Sequence, residues 1–138
     1  MIYLSCNVNQ LTSIDVSGCS ALENFDCFEN QLTTIDLTDC TSLTQLRSHN
    51  NRLTSLDVSN CPQLRLITIY QNQIKGEAMD ALLMSLPPLT FKEPFRVLYV
   101  LWHENEQNEI TAEQAKAANG WRVWYCDGTV WQEFNKSK

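Results

Sequence analysis

The six cysteines are the residues of this sequence with the widest chemical range, since thiols can pair as disulfides or bind zinc. They recur at one spacing, because 21 residues separate Cys19, Cys40 and Cys61, and 21 separate Cys6 from Cys27. If the chain stacks with that period, the side chains of one column point the same way, which suits disulfide geometry poorly. Zinc sites usually contain tight pairs such as C-x2-C, which this sequence lacks. We therefore predict thiols that fill a buried core, with a disulfide framework as the alternative.

Catalytic side chains are sparse in this sequence. His49 has no nucleophile in its column, because the adjacent Ser48 takes the opposite face of a strand. His103 and Cys126 could meet at neighbouring strand ends as a cysteine–histidine pair, but no third group that would orient them is evident. We predict no catalytic residues and no enzyme activity.

Carboxylates form two sets that could bind a hard cation such as calcium. The polar loop HENEQNE contains Glu104, Glu106 and Glu109, but without the spacing of a known calcium loop. The second set recurs every 21 residues as Asp15, Asp36 and Asp57. Because aspartate often caps the turn in which it lies, we predict turn caps for this column and a solvated turn for the loop. Neither a metal nor a cofactor is expected.

The composition is that of one globular domain. The chain has 138 residues, of which 43% are hydrophobic, and a net charge of −6. No run of Lys and Arg occurs, so neither a nucleic-acid footprint nor a patch for anionic membranes is expected. No stretch of 18 apolar residues occurs either, so we predict no membrane span. The residues that follow Met1 do not have the pattern of a secretory leader.

An internal repeat defines the elements that must position these side chains. Rows of 21 residues follow the unit L-x-x-L-x-C-x-x-N-x-L-T-x-L-D-V-S-x-C-x-x over three complete rows. The strand column is Leu4, Phe25, Leu46 and Ile67. The asparagine column is Asn9, Asn30, Asn51 and Asn72. We predict an α/β repeat solenoid, which is a leucine-rich repeat with short parallel strands on its concave face.

The alternation of apolar residues within a row predicts how the rows stack. A short strand turns Leu46 and Ser48 inward and Arg47 and His49 outward. One row cannot enclose its own apolar side, so rows stack as rungs of a parallel sheet, about 4.8 Å apart. We predict that each asparagine amide hydrogen-bonds backbone groups of its own turn and of the next. The return arm, LTSLDVS, is predicted to be extended or turn-like on the convex side.

The outward strand positions form the candidate site. Stacked rungs would place three lines of side chains on the concave face, and one of these lines is Asn24, Gln45 and Leu66. The candidate partner-binding residues, from the other two lines, are Asp26, Phe28, Arg47, His49, Thr68 and Tyr70. Exposed aromatic and Arg side chains are typical of protein-binding hot spots. Aromatic rings beside polar groups would also suit a sugar. A third interpretation is that the rings stack on one another and only cover backbone.

After Ile74 the period stops, and we predict a region that caps the solenoid. Its predicted elements are a helix within GEAMDALLMSLPP, a strand over 95–102, a helix from the N-cap Thr111 to Gly120 with Gln114 in a capping box, a strand over 121–126 and a hairpin turn at Asp127-Gly128. The first helix would bury Ala78, Leu82 and Leu86, or Ala81, Leu82 and Ser85. The strand–helix–strand order favours a right-handed crossover, so these strands would continue the parallel sheet. The cap could add Tyr99, Trp102 or Trp124 to the concave face.

The segments LTSIDVSGCSAL and LTSLDVSNCPQL resemble the short, 21-residue repeats of bacterial leucine-rich repeat proteins, a group that includes the internalins. The segment after the repeats is similar to the C-terminal cap of such proteins from gut bacteria. The resemblance implies a secreted or surface-displayed binding scaffold without catalytic residues.

We predict about three and a half repeats over 1–74 and a cap over 75–138, in a scaffold that binds a protein partner. The alternatives are a carbohydrate-binding module and a structural spacer or cap of a larger adhesin-like chain. No polar segment shields the first rung around Leu4. We therefore expect either further repeats of a longer protein or another chain to cover that end.

Overall fold

The structure, a computed structural model, describes residues 2–88, 96–101, 106–118 and 120–134. Its elements in chain order are β1 (Ile2–Ser5), β2 (Leu22–Asp26), β3 (Gln45–Arg47), β4 (Leu66–Thr68), α1 (Glu77–Ser85), β5 (Val97–Leu101), α2 (Ala112–Lys116), β6 (Arg122–Cys126) and β7 (Trp131–Glu133). The seven strands form one sheet in sequence order. Strands β1 to β6 are parallel, and β7 pairs with β6 in the antiparallel direction. The predicted solenoid is confirmed, including the two C-terminal strands that continue its sheet.

Equivalent residues of successive rungs lie side by side, because the pairing register repeats with the sequence. Phe25 pairs with Leu46, and Leu46 pairs with Ile67. The same line continues through Leu98 of β5 and Val123 of β6. All five side chains are fully buried. The burial of apolar surface therefore joins the repeats and the C-terminal strands in one continuous core.

The inward asparagines hydrogen-bond the backbone where each strand ends. The Nδ2 amide of Asn51 donates, at 3.0 to 3.4 Å, to the carbonyl oxygens of Cys27, Ser48 and His49. Its Oδ1 accepts the backbone N–H of Leu32 at 3.0 Å. Asn30 and Asn72 repeat this pattern one rung to either side. Each amide thus satisfies backbone groups of two rungs that the turns would otherwise leave unpaired.

A further asparagine continues this pattern beyond the regular spacing. The Nδ2 amide of Asn108 donates to the carbonyl oxygens of Ile69 and Val100 at 2.7 and 3.0 Å. Its Oδ1 accepts the backbone N–H of Ile74 at 2.8 Å. A repeat-like rung therefore lies within the region after residue 74, although the sequence analysis missed it. The division into repeats and cap at that residue stays a prediction.

The return arms on the convex side are turns and bends, as predicted. In each arm the aspartate Oδ1 accepts the backbone N–H two positions later at 2.9 Å, in the pairs Asp15–Ser17, Asp36–Thr38 and Asp57–Ser59. Hydrogen bonds from the side chain and then from the backbone of that second residue lower the pKa of all three aspartates. The aspartate column therefore caps turns.

The helix α2 has the predicted start and an earlier end. The Thr111 hydroxyl accepts the backbone N–H of Gln114 at 3.1 Å, and the Gln114 side chain accepts that of Thr111 at 2.9 Å. This reciprocal capping box satisfies two helix donors, as the sequence predicted. The helix ends at Lys116, with Ala117 as its C-cap, rather than at Gly120.

The predicted buried faces of α1 were wrong in part. The helix buries Met79, Leu82 and Leu83, whereas Ala81 is exposed. Of the first predicted face, Leu82 and the C-cap residue Leu86 are buried and Ala78 is partly buried against the core. The alternative face was wrong, because it includes the exposed Ala81. A nine-residue helix has two and a half turns, so several apolar stripes fit its sequence equally well.

The first rung is more exposed than the rungs that follow it. Ile2 and Tyr3 are 53% and 56% exposed, and Leu4 is only partly buried, whereas the equivalent Phe25 is fully buried. The Asn9 amide donates only to carbonyl oxygens of its own turn, at 3.0 and 3.1 Å. This rung therefore has fewer contacts between rungs than the interior of the stack.

Candidate functional site

The pairing register gathers the predicted site residues on the concave face. One outward column crosses five strands and consists of Asp26, Arg47, Thr68, Tyr99 and Trp124. The second column lies two positions further along each rung and consists of Phe28, His49 and Tyr70. Of the predicted additions from the C-terminal region, Tyr99 and Trp124 extend the first column, and Trp102 lies outside the described residues. That this face binds a partner stays a prediction.

Asp26 is an outward residue that its neighbours bury. It is 5% exposed, because the side chains of Tyr3 and Arg47 bond to its carboxylate from the adjacent rungs. The Tyr3 hydroxyl donates to Oδ2 at 2.7 Å. The Arg47 Nη1 donates to both carboxylate oxygens at 3.1 and 3.3 Å. The buried negative charge thus has a cationic partner and a hydroxyl donor, which offset the cost of its desolvation.

His49 is held in the middle of the second column. Its Nδ1 lies 2.8 Å from the hydroxyl of Thr68, which is itself only 8% exposed. Burial lowers the pKa of His49 to about 4; the Asp26 carboxylate opposes this shift and the Arg47 guanidinium adds to it. The imidazole is therefore neutral near pH 7.

The aromatic column is a continuous stack of rings. The Phe28 and His49 ring centroids are 4.6 Å apart with planes inclined by 8°. The His49 and Tyr70 centroids are 4.5 Å apart with planes inclined by 20°. Both faces of the imidazole are therefore covered, and only the edge of this ring remains for a partner to contact. The stack places flat apolar surface on rigid strand ends.

The C-terminal hairpin extends this aromatic surface, which the sequence analysis did not foresee. The Trp131 ring of β7 lies with its centroid 4.6 Å from that of Tyr99, nearly perpendicular to it at 74°. It also lies 5.7 Å from the Tyr70 ring, and Tyr99 lies 6.3 Å from Trp124. The turn before Trp131 is fixed by Asp127, whose Oδ1 accepts the backbone N–H of Thr129 at 3.0 Å. The aromatic surface therefore runs from the second rung to the last hairpin.

The other groups considered for chemistry have structural partners or lie outside the described residues. The Ser48 hydroxyl is buried and donates to the carbonyl oxygen of Thr68 at 3.2 Å. The Glu106 carboxylate accepts the backbone N–H groups of Gln71 and Asn108, both at 2.8 Å. His103 and Glu104 lie outside the described residues. Among the residues that the structure describes, no group of three or more His, Cys, Asp and Glu side chains could hold a metal ion.

The six cysteines are free thiols in two columns and at one C-terminal position. Cys27, Cys40 and Cys61 are fully buried, as predicted, whereas Cys6 is half-buried. The prediction was wrong for Cys19, which is exposed. Burial, to which the nearby Cys40 and Asp57 add, raises the pKa of Cys61 to about 12. Such thiols are protonated at neutral pH and react slowly, which fits a packing role.

Comparison with known proteins shows the fold alone. No protein-family model matches the chain, and no curated protein matches it. Among solved structures, the chain is similar to the functional domain of InlJ from Listeria monocytogenes, which includes a cysteine ladder. The TM-score is 0.63 at 22% sequence identity, and the match covers 91% of this chain and 25% of that chain. This chain thus spans about a quarter of that structure and has the same type of leucine-rich repeat solenoid. Within the described residues, no helix has the length and apolar character needed to cross a bilayer.

Proposed function

We propose that this protein is a non-enzymatic scaffold that binds a protein partner through the concave face of its sheet. The observation that carries the proposal is the ring stack of Phe28, His49 and Tyr70, which stands on the strand ends beside Arg47. Aromatic and Arg side chains that a rigid frame holds in place lose little entropy on binding, and they dominate many protein interfaces. The proposed location is extracellular, secreted or on the cell surface, which the sequence resemblance to bacterial surface proteins supports.

The ring geometry favours a protein over a neutral glycan. A sugar packs its apolar face on the open face of an aromatic ring. Here the faces of His49 are both covered, by Phe28 on one side and Tyr70 on the other. What the middle of the stack offers is a ring edge next to polar side chains, a surface that peptide groups and side chains of a protein can match.

Parallel binding screens test this proposal. The chain is applied to an array of extracellular proteins and to a glycan array, together with the triple variant Phe28→Ala, His49→Ala, Tyr70→Ala. We expect saturable binding to a protein and a loss of at least about tenfold in affinity for the triple variant, which is about 1.4 kcal/mol. Circular dichroism verifies that each variant is folded.

The convex side supplies a matched control with the same spacing. Ser13, Thr34 and Ser55 are exposed on the return arms, and their triple replacement by Ala should leave binding unchanged. Equal losses for both triple variants would refute the concave face as the site. Binding to glycans alone, lost with the aromatic triple variant, would replace the proposal with a carbohydrate-binding module. Binding that neither variant alters would favour a structural role for the stack.

A further inference from the structure

We infer that the concave face recognises an acidic segment of its protein partner and that Arg47 binds a carboxylate of that segment. The inference rests on the proposed function, because it specifies the chemistry of the partner at the same face. It follows from the N–H donors of Arg47 that make no hydrogen bond to the described residues.

The guanidinium of Arg47 is anchored by one nitrogen only. Its Nη1 donates to both oxygens of Asp26, whereas Nε and Nη2 have no hydrogen-bond partner among the described residues. A guanidinium has five N–H donors, so the three on Nε and Nη2 remain. The Nε–Nη2 edge is a planar fork that matches the two oxygens of a carboxylate.

Burial differs between the two members of this ion pair. The Arg47 side chain is 37% exposed and that of Asp26 is 8% exposed. The Asp26 carboxylate, which accepts hydrogen bonds from Tyr3 and Arg47, is the more buried group, and the Arg47 guanidinium is the more exposed one. A partner that approaches this point of the face meets the cation first. Because the Asp26 contact already orients the guanidinium, less side-chain entropy is lost when a second carboxylate binds.

The neighbouring groups of the second column also favour an electron-rich partner. The ring edges of Phe28 and His49 carry the positive end of the aromatic quadrupole, and stacking leaves the edges outward. The Nδ1 of His49 lies 2.8 Å from the Thr68 hydroxyl, which fixes the orientation of the ring. Oxygen acceptors of a peptide segment complement these ring edges and the fork of Arg47.

Nuclear magnetic resonance titration of the whole chain tests the inference. The probes are three acetylated and amidated hexapeptides in which Ala alternates with Glu, Gln or Lys. We expect the Glu peptide to shift the Arg47 Nε–H and the His49 ring signals saturably, with the Gln peptide at least about tenfold weaker. Raising the salt concentration should weaken the Glu peptide's binding, because exposed charges are screened.

Arg47→Lys is the variant of choice, because an ammonium can keep the charge beside Asp26 but lacks the fork. We expect a loss of about tenfold in affinity for the Glu peptide. Arg52→Lys, at an exposed arginine in the turn after the asparagine column, is the matched control and should bind as the unmodified chain does.

Three results would overturn the inference. They are equal binding of the Gln or Lys peptide, an absence of shifts at Arg47, and tighter binding of the acidic sugar glucuronate than of the Glu peptide. Each of these leaves the proposed function to be decided by the array screens, in which the aromatic triple variant reports on the concave face whatever the charge of the partner.

Discussion

Two columns of side chains in the same rungs, one inward and one outward, show how one sequence period produces two different environments. The asparagines and the aromatic residues both recur every 21 residues, and only two positions separate Phe28 from Asn30. The inward Asn30, Asn51 and Asn72 make the same hydrogen bonds to backbone groups of two rungs. The outward side chains Phe28, His49 and Tyr70 interact chiefly as stacked rings. The hydrogen bonds to the backbone require asparagine at the inward position, whereas Phe, His and Tyr can each stack at the outward position.

Replacing an inward asparagine should have the largest effect. Asn51→Ala removes the acceptor of the Leu32 N–H, while the carbonyl oxygens that Asn51 bonded keep other donors. One orphaned and buried N–H costs about 1–3 kcal/mol, which is the expected loss in the free energy of unfolding by urea denaturation.

The first rung provides the matched control for this prediction. Asn9 is exposed and bonds only carbonyl oxygens of its own turn. Asn9→Ala should therefore cost less than Asn51→Ala. If the two variants lose equal stability, the bonds between rungs are not what distinguishes the inward column.

The sequence predicted these columns because a fixed period sets the direction of every side chain in a stacked strand. Asp26 was assigned to the correct face, but its burial depends on how the long side chains of Tyr3 and Arg47 lie across it. Such contacts depend on rotamers and not on the period. A period can thus specify a face but not the exposure of each residue on it.

The residues that the sequence analysis missed lie where the period is interrupted. Ile67 and Asn72 are five positions apart, whereas Leu98 and Asn108, their equivalents in the next rung, are ten apart. The local pattern Asn-x-Ile in NEI, which matches NQI after Tyr70, was the available signal for Asn108. Trp131 had no such signal, because its contact with Tyr99 arises from the antiparallel hairpin and not from the stacking.

The outward column should respond to pH through His49. Its pKa is about 4 in the folded chain and near 6.5 when unfolded, so the unfolded chain binds more protons between these values. Stability is therefore complete above about pH 6.5 and declines as the pH falls toward 4. Because solvent reaches the ring edge, we expect about 1 kcal/mol of this decline between pH 7 and 4.5.

His49→Phe keeps a flat ring in the stack and removes the titrating group. The difference in unfolding free energy between the variant and the unmodified chain should grow in favour of the variant as the pH falls from 7 to 4.5. Asp15, Asp36 and Asp57 titrate lower and equally in both proteins, so they cancel in the comparison. A difference that stays constant over this range would mean that His49 is not desolvated in the stack.

The turn between the two columns should give the smallest effect, and in the stabilising direction. The residue that follows the outward position has a positive φ in each of the first four rungs, at 57° for Val8 and at 54° for Glu29, Asn50 and Gln71. This left-handed conformation suits Asn and strains a β-branched residue. Val8 is 61% exposed, so Val8→Asn loses little apolar burial and should raise the free energy of unfolding by about 0.5–1 kcal/mol.

Val8→Ala separates the relief of backbone strain from the loss of an exposed apolar side chain. Alanine removes the exposed methyl groups but lacks the polar side chain with which Asn hydrogen-bonds locally in the left-handed region, so it should stabilise less than Asn. If both variants gain equally in thermal denaturation, the exposed side chain of Val8 was the cause. If only Asn stabilises, the strained turn accounts for the gain. This turn lies between the outward side chain and the inward asparagine of each repeat. That result would therefore show that the backbone at Val8, between the two columns, is strained.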